Sequence, residues 1–563
     1  MKVIIKGKGA KTLGNQDFLS SGGEGSVYAK AGLAYKIYAD PSKMIPLKKI
    51  DELAVLNHPN IIRPLDVICN DKNKPIGYTM QYINDTFALC QLFTKSFRDR
   101  EGLTTEQCFA LVKRMQQGVQ HVHDNKILLV DCNEMNFLVN KKFDEVYFID
   151  VDSYQTPNFP ATALMESVRD RHMKPGKFSQ ETDWFSWAIV TFQLFVGIHP
   201  YKGSHKSLKT LDDRMKKNIS VFNSGVSCPK VVLPFDVIPK AYRDWYEAVF
   251  EKGLRSCPPD SAVEVINVVT KITKIMGTNK FDIEELEDFS NFGSIINVIY
   301  HFGTRVVQTT EGVAIGKKKH LGVNPKTKIG FTNQFNHVIS AFANNGKIIL
   351  ANLSTGSRVT GDINGQSVMS YDGRLYIVSE GSVYEVNFVE TPSNTLAALN
   401  LVANIMPKSS QVFDGVIVQN MLNAYYVSVF PTTGKHCQIR ISEIEKHRII
   451  EAKYDRQVLM IIGVDNDGKY NRFVIRFDDK FSSYDIRRED DIAPSGLNFV
   501  VLDTLNVAHI NEMENLVIFR NKKGDDKALL IEDPAIGSHM RLYRWDSQAV
   551  FSSGGKLYRI KMK

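Results

Sequence analysis

The sequence predicts an α+β domain followed by an all-β domain, and two observations support this prediction. In the first half, apolar strand patterns alternate with helix patterns, such as the amphipathic stretch over 104–125. After about residue 292 the helix patterns stop, and short apolar runs alternate with turn residues. We therefore expect an α+β domain over 1–275, a short acidic linker over 276–292 and a β-rich domain over 293–563, with few contacts across the linker.

Composition narrows the class of protein. The chain has 563 residues, 43% of them hydrophobic and 23% charged, which is typical of a globular protein of two to four domains. Its net charge of +8 does not by itself indicate a nucleic-acid partner. The seven cysteines are scattered without a C-x-x-C pair, which favours a reducing compartment over a disulfide framework or a zinc site. No apolar run is long enough to span a bilayer, so we expect a cytoplasmic protein with no membrane partner.

A glycine-rich turn opens the first domain. Residues 18–38 have the pattern of two strands joined by this turn. Gly22, Gly23 and Gly25 would let the backbone approach an anionic group closely, because no Cβ atom intrudes. Lys36 lies in the second strand. Taken alone, the segment could equally be an ordinary hairpin with a solvated lysine at its edge.

Polar residues collect at the ends of short apolar strands in residues 127–155. Asp131 and Asn136 lie five apart in one loop, and Asp150 and Asp152 follow the next apolar run. Carboxylate and amide oxygens suit Mg²⁺ and a phosphorylated substrate, with one carboxylate left to act as a base. The alternative is a pair of hairpins with acidic turns.

These motifs resemble those of the protein kinase superfamily. The pattern D-x-x-x-x-N-x-L-V, followed by a strand ending in Asp, resembles the catalytic loop and the metal-binding segment. Gly22, Gly25 and Val27 match three positions of the kinase glycine-rich loop, and Ser20 stands at its first glycine. Residues 183–203 resemble the D-x-W-S-x-G helix and the corner after it. The resemblance implies a bilobal domain, with an N-lobe over about 1–83 and a C-lobe over about 84–275.

The resemblance also implies ATP and Mg²⁺ as cofactors, and it assigns roles to individual positions. For the nucleotide, Gly22, Gly23 and Gly25 would contact the phosphates, Val27 would cover the base and Lys36 would orient the phosphates. Met80 would be the gatekeeper, and the backbone of Gln81 to Ile83 would contact adenine. Asp131 would accept the proton of the substrate, Asn136, Asp150 and Asp152 would bind magnesium, and Asp183 would brace the catalytic loop.

The helix expected over 43–57 departs from the kinase pattern. Kinases carry a glutamate there that pairs with the strand lysine. Counting back from the His-Pro-Asn-Ile corner places Lys49 at that position. Glu52 lies three residues later on the same helical face, so we expect it to pair with Lys36, with Asp51 as the alternative.

The catalytic loop departs as well. Val130 replaces the arginine that usually binds a phosphate on the activation segment, and Asn133 replaces the lysine two residues after Asp131. The form I-D-x-D-S-Y-Q, together with D-x-N-x-x-N, resembles a bacterial branch of kinase-like proteins.

The second half has the turn chemistry of β-hairpins. Asn345-Gly346, Asp372-Gly373 and Asp467-Gly468 each separate two apolar strands, and D-G-x-L-Y-x-V recurs loosely as DGRLYIV and GGKLYRI. Hairpins at this spacing indicate a β-propeller of five to seven blades, with a pair of β-sandwiches as the alternative. We expect a module that regulates the first domain or binds a protein partner.

The function that follows from the resemblance is Mg-ATP-dependent phosphoryl transfer by a serine/threonine protein kinase to a protein substrate. One alternative is a pseudokinase scaffold that binds nucleotide without turnover, because the helix glutamate and the catalytic-loop lysine are missing. The other is a small-molecule kinase.

Overall fold

The computed structural model describes residues 1–161, 164–260, 278–525, 527–545 and 548–563. The first part is a mixed α/β fold and the part from 278 onward consists of β-sheets, as the sequence predicts at this coarse level. None of the helices in the described part of the chain combines the length and the apolarity needed to cross a bilayer.

A seven-stranded antiparallel sheet forms the N-lobe. Its strands and the α-helix between them are β1 (Lys2–Ile5), β2 (Gly9–Thr12), β3 (Phe18–Ser21), β4 (Gly25–Lys30), β5 (Leu33–Tyr38), α1 (Leu47–Leu53), β6 (Val67–Cys69) and β7 (Pro75–Gln81). The spatial order is β2–β1–β6–β7–β5–β4–β3. Strand β5 therefore lies between β4, at the end of the glycine-rich turn, and β7, which leads to the second lobe.

Helices dominate the C-lobe. Its elements are β8 (Thr86–Ala88), α2 (Lys95–Glu101), α3 (Thr105–Asp124), β9 (Phe137–Asn140), β10 (Val146–Phe148), α4 (Gln180–Val196), β11 (Ser204–His205), α5 (Leu211–Lys217), β12 (Val226–Ser227) and α6 (Lys240–Glu251). A reciprocal capping box between Thr104 and Gln107 starts α3. Helix α4 is apolar on all sides because it lies in the centre of the lobe, and it ends at Gly197 with φ 80°. The sequence pattern predicts two helices over 233–275, of which α6 is the first, and residues 261–275 lie outside the described residues.

The described C-terminal residues form seven sheets of mainly antiparallel strands. The strands of the first four sheets after β13 (Phe281–Asp288) are β14 (Ile295–His301), β15 (Thr304–Thr309), β16 (Gly312–Ile315), β17 (Lys318–Leu321), β18 (Lys328–Phe331), β19 (Val338–Asn344), β20 (Lys347–Asn352), β21 (Val359–Thr360), β22 (Ile363–Asn364), β23 (Ser367–Tyr371), β24 (Arg374–Ser379), β25 (Ser382–Glu390), β26 (Thr395–Asn404), β27 (Ser410–Phe413), β28 (Val416–Met421), β29 (Ala424–Val429) and β30 (Cys437–Arg440). The strands that follow are β31 (Arg448–Asp455), β32 (Val458–Val464), β33 (Tyr470–Phe477), β34 (Tyr484–Glu489), β35 (Asn498–Val501), β36 (Asn506–Ile510), β37 (Leu516–Arg520), β38 (Ala528–Ile531), β39 (Arg541–Trp545), β40 (Gln548–Ser553) and β41 (Lys556–Met562).

The last of these sheets joins the two ends of the region, because β13 pairs with β41 in the order β13–β41–β40–β39. An apolar cluster lies between each sheet and the next in chain order, and another joins the last sheet to the first. Each sheet thus buries both of its faces against neighbours.

The acidic segment predicted as a linker is a strand over Phe281–Asp288, so that prediction is wrong there. The physical reason is charge complementarity with the basic strand β41. The Lys556 ammonium lies 3.0 Å from Glu285, and Glu284 pairs with Arg559. Phe281 packs into the apolar cluster beneath.

A continuous hydrophobic core joins the two parts of the chain. Side chains of α3, α4 and the segment Leu89–Phe93 belong to the same buried cluster as side chains of β32 and β33. The Tyr470 hydroxyl donates to the Cys90 carbonyl oxygen at 2.8 Å, and the Ser96 amide donates to the Ser495 carbonyl oxygen at 3.1 Å. The expectation of few contacts across the linker between the two domains is therefore wrong. The apolar sequence of β32 indicates that both faces of the strand are buried, but it does not indicate that the first domain covers one of them.

The turn between β32 and β33 touches the catalytic loop, and a glycine makes this possible. Gly468 has φ 73°, and a Cβ atom there would lie 3.0 Å from both Glu134 Oε1 and Ser167 Oγ. We expect Gly468→Ala to lower stability by about 1–2 kcal/mol through backbone strain, with a further loss from crowding. Gly346→Ala is the matched control, since Gly346 has φ 80° and no atom within 4 Å of a Cβ. Urea unfolding should show the larger loss for Gly468→Ala, and equal losses would contradict this contact.

Candidate active site

The catalytic loop is braced from beneath by a buried carboxylate at the start of α4. Asp183 accepts hydrogen bonds from the Leu129 and Val130 amides, each at 2.8 Å, and His123 Nε2 lies 2.9 Å from the same carboxylate. Val130 has φ 63°, which strains a β-branched residue, and the bonds to Asp183 offset that strain. The bracing role predicted for Asp183 is confirmed.

Asp131 and Asn136 meet in this loop. Asn136 Nδ2 donates to the Asp131 carbonyl oxygen at 2.9 Å and lies 3.4 Å from Asp131 Oδ2. The other carboxylate oxygen of Asp131 accepts the Met165 amide at 2.7 Å. Asn133, at the position of the missing lysine, accepts the Met135 amide at 2.8 Å and so shapes the loop. The pair predicted from its spacing is therefore brought together.

Three carboxylates surround the strand lysine. Lys36 Nζ lies 2.7 Å from Asp152 Oδ2, 2.9 Å from Glu24 Oε2 and 3.3 Å from Asp150 Oδ1. The Tyr38 hydroxyl also donates to Asp152 Oδ2, at 2.8 Å. Lys36 and Asp152 are both buried, so this ion pair is shielded from water.

The titration of the cluster follows from burial and from these neighbours. Burial and the nearby Asp152 carboxylate raise the pKa of Asp150. Burial would also raise the pKa of Asp152, but the Lys36 ammonium and its hydrogen bond outweigh burial and hold that pKa low. For Lys36, burial acts to lower the pKa, and the Asp152 and Asp150 carboxylates reverse the effect and raise it. Lys36 and Asp152 are therefore both charged at neutral pH.

The prediction that Glu52 pairs with Lys36 is wrong. The Glu52 carboxylate accepts the Asn158 side-chain amide at 2.7 Å and its backbone amide at 3.3 Å. The reason is the orientation of the short helix α1, which turns Lys49 inward and leaves Glu52 beside the segment after Asp152. Asp51, the alternative, is exposed.

Asp152 takes the place of the helix acid as the partner of Lys36. Asp150 has φ 61°, and Val151–Ser153 form a 3₁₀ turn. An extended Val151 would have pointed the two carboxylates to opposite sides, but this turn brings both to Lys36. Asp152 was predicted as a magnesium ligand, whereas its Oδ2 is already bound by Lys36 and Tyr38. The motif alone gave no signal for this pairing.

Glu24 is a second site residue that sequence reasoning missed. It lies within the glycine-rich turn and reaches Lys36 from the exposed side. Its position among the three glycines could have identified it as a site residue, because a side chain in a phosphate-binding turn must face either the ligand or solvent.

The glycines of the turn differ in their structural roles. A Cβ on Gly22 or Gly23 would meet no atom within 4 Å, so this side of the turn is open to a ligand. A Cβ on Gly25 would overlap the Ile37 carbonyl oxygen, so Gly25 is required for the pairing of β4 with β5. Val27 pairs with Lys36 across those strands.

The residues predicted to meet adenine lie on the neighbouring strand. In the register of β5 with β7, Ala34 faces Met80 and Leu33 faces Gln81. Ile83 follows the end of β7. Their contacts with a nucleotide stay predictions.

The donor set near the catalytic loop suits Mg²⁺. Asn136 and Asp150 are held together because the Ile149 amide donates to the Asn136 carbonyl oxygen at 2.9 Å. Among the described residues, no preformed group of three or more acidic, His or Cys side chains is arranged to hold a metal ion. Mg²⁺ commonly takes one or two carboxylates and completes its shell with water and substrate phosphates, so Asn136 and Asp150 would hold it together with a nucleotide.

A buried histidine after α4 makes the stability of this lobe depend on pH. His199 Nε2 lies 2.9 Å from the Ser167 carbonyl oxygen, and Nδ1 accepts the Tyr201 amide at 3.1 Å. Burial lowers the pKa of His199 to about 3, against an ordinary value of 6.5. Between pH 6.5 and about 3, His199 is therefore protonated in the unfolded chain but neutral in the folded chain. Its contribution to the free energy of unfolding is fully present above pH 6.5 and falls as the pH drops below that value.

We expect wild type to lose about 2 kcal/mol from this residue between pH 7 and pH 5. His199→Gln should remove that part of the pH dependence, whatever its effect at pH 7. The exposed His436 supplies the control His436→Gln, which should keep the wild-type profile. Urea unfolding at several pH values measures this, and parallel profiles for wild type and His199→Gln would contradict it.

Comparison with known proteins agrees with this geometry. Residues 36–231 match the protein-family model described as a protein kinase domain. A protein of Acanthamoeba polyphaga mimivirus named as a serine/threonine-protein kinase is 28% identical over 127 residues, which cover 22% of this chain and 46% of that protein. Smooth-muscle myosin light chain kinase of Gallus gallus is 22% identical over 189 residues, covering 31% of this chain and 9% of that protein.

The chain spans less than half the length of these curated relatives. Among solved structures, it aligns with the Cydia pomonella granulovirus kinase PK-1 at a TM-score of 0.33 and 16% identity, covering 43% of this chain and 86% of that one. The family match begins at Lys36 in β5 and covers the catalytic loop and α4, whereas the glycine-rich turn lies before it. These matches place residues 36–231 in the protein kinase superfamily, as a protein kinase domain.

Proposed function

We propose that the chain transfers the γ-phosphoryl group of ATP, with Mg²⁺, to serine or threonine hydroxyls of a protein substrate. The observation that carries the proposal is the meeting of Asp131 and Asn136 on a loop braced by Asp183. The buried pair of Lys36 and Asp152 supports it. The serine/threonine specificity rests on the names of the distant relatives.

Each residue would contribute by position and charge. Lys36, fixed by Asp152, would orient the α- and β-phosphates, while the open side of Gly22 and Gly23 would face them. Mg²⁺ bound by Asn136 and Asp150 would neutralise phosphate charge. Asp131 would accept the proton of the attacking hydroxyl through Oδ2, since the Met165 amide binds Oδ1.

A pseudokinase scaffold is the second candidate, and two observations favour it. The Met165 amide binds one oxygen of the carboxylate that would act as base, and Lys49 stands where kinases carry the helix acid. A scaffold of this kind would bind ATP and leave it intact.

We also propose that the C-terminal sheets form a seven-bladed β-propeller that begins at β13 and binds a protein partner. The sheet that joins β13 to β41 and the apolar clusters between successive sheets support a closed ring. A ring lets each sheet bury both faces against its neighbours and leaves only short, protected edges, which favours this arrangement over two sandwiches. Seven free cysteines, all within the described residues, support a cytoplasmic location.

The nucleotide site is tested by thermal unfolding with ATP, in Mg²⁺ and in EDTA. We expect a large rise in melting temperature with Mg²⁺ and a small one in EDTA, because Lys36 is surrounded by carboxylates that repel phosphate unless a cation bridges them. GTP serves as the control nucleotide. Equal shifts in both buffers would remove magnesium from the proposal.

A further inference from the structure

Helix α1 places a lysine inside the protein without a partner. Lys49 is 1% exposed, and its ammonium makes no hydrogen bond and no ion pair within the described residues. Burying an ammonium without compensation costs several kcal/mol, so a structural role alone gives no reason to keep a lysine here.

Its surroundings identify the site that Lys49 serves. Helix α1 packs on the 3₁₀ turn that carries Asp152. The carboxylates that act on Lys49 most strongly are Asp152, Asp150 and Glu24, the same three that surround Lys36. Burial lowers the pKa of Lys49, and these carboxylates oppose that effect. Two lysines therefore flank one group of acids.

The charge of the site calls for this second cation. Three carboxylates face Lys36, and the catalytic loop carries Asn133 in place of a lysine. A bound triphosphate would meet an excess of negative charge if Lys36 were the only lysine near it. Asp152, in the 3₁₀ turn after β10, holds Lys36, so α1 need not supply an acid and its inward position is free for a base.

We propose that Lys49 is a second phosphate-binding residue, whose ammonium donates to an oxygen of the β- or γ-phosphate when Mg-ATP binds. It thereby supplies the positive charge that the catalytic loop lacks. This inference rests on the proposed function and adds a residue to the same site.

The test compares Lys49→Met with the matched control Lys48→Met, which alters the exposed neighbouring lysine. Calorimetry with Mg-ATP, AMP and adenosine measures binding. For Lys49→Met we expect ATP affinity to fall about tenfold to a hundredfold, the loss of one charge-assisted hydrogen bond, with adenosine affinity unchanged. Lys48→Met should bind all three as wild type does.

Thermal unfolding without nucleotide separates this role from a structural one. Methionine fills the buried space without a charge, so Lys49→Met should unfold at the wild-type temperature or above. A variant that is less stable but binds ATP normally would overturn the proposal, as would an equal loss of ATP and adenosine affinity.

A second measurement uses wild type alone. An acyl-phosphate derivative of ATP acylates lysines that lie beside its phosphates, and peptide mass spectrometry locates the amide formed. We expect modification of both Lys36 and Lys49, prevented by excess Mg-ATP. Labelling of Lys36 without Lys49 overturns this inference and leaves the proposed function intact. Wild type that binds no nucleotide overturns both.

Discussion

Replacement of Asp131 by asparagine should abolish phosphoryl transfer while ATP binding stays close to wild type. Asparagine keeps the shape and can still accept the Met165 amide, but it cannot take a proton from a hydroxyl. The loss should be about a hundredfold to ten-thousandfold in rate, the usual contribution of a positioned base. Single-turnover phosphate transfer measures the rate, and calorimetry measures binding.

Asp124→Asn is the matched control for that change. Asp124 lies at the exposed end of α3, where its carboxylate accepts a hydrogen bond from the Gln120 side chain, so its variant should transfer phosphate at the wild-type rate. Wild-type turnover in Asp131→Asn would remove Asp131 from the mechanism.

Asp152→Asn should cost more than a hundredfold in activity, because it removes the charge that holds Lys36 in the site. Breaking one side of a buried ion pair also lowers stability, by about 3–5 kcal/mol in typical cases. Glu52→Gln is the informative control. Glu52 bonds to Asn158 and does not touch Lys36, so its variant should remain active. An inactive Glu52→Gln beside an active Asp152→Asn would restore the kinase pattern and contradict the structural assignment.

Comparison of Asp152→Asn with Asp150→Asn separates a residue that anchors Lys36 from one that binds magnesium. If Asp152 anchors Lys36, the magnesium dependence of the residual Asp152→Asn rate should match wild type. For Asp150→Asn we expect no measurable activity at any magnesium concentration. Initial rates over a magnesium series measure both. A higher magnesium optimum in Asp152→Asn would show that Asp152 binds the metal.

The sequence was informative where function depends on local geometry. Asp131 and Asn136 sit in one tight loop, so their spacing alone brings them together. The carboxylate of Asp183 follows from the start of an apolar helix, and hairpin turns such as Asp467-Gly468 follow from their residue types. These features need few distant contacts, so patterns in the chain predict them well.

Features that depend on distant parts of the chain were missed. The partner of Lys36 depends on the left-handed backbone of Asp150, a conformation that aspartate tolerates but that its residue type alone does not predict. The pairing of β13 with β41 links residues more than two hundred positions apart, so a short acidic segment looked like a linker. The contact of the Gly468 turn with the catalytic loop was missed for a similar reason. The apolar sequence of β32 indicates that the strand is buried but not which residues cover it.

The most direct test of phosphoryl transfer by this site is intact-mass spectrometry after incubation with Mg-ATP, with peptide fragmentation to locate the phosphate. The sample is purified wild type with a generic serine- and threonine-rich protein, beside an Asp131→Asn sample. We predict that phosphate appears on serine or threonine of wild type or of the added protein, and on neither in the variant. ATP that binds but stays intact, with no phosphate on either protein, would contradict the account and favour the scaffold. Consumption of ATP only when small metabolites are added would instead point to a small-molecule kinase.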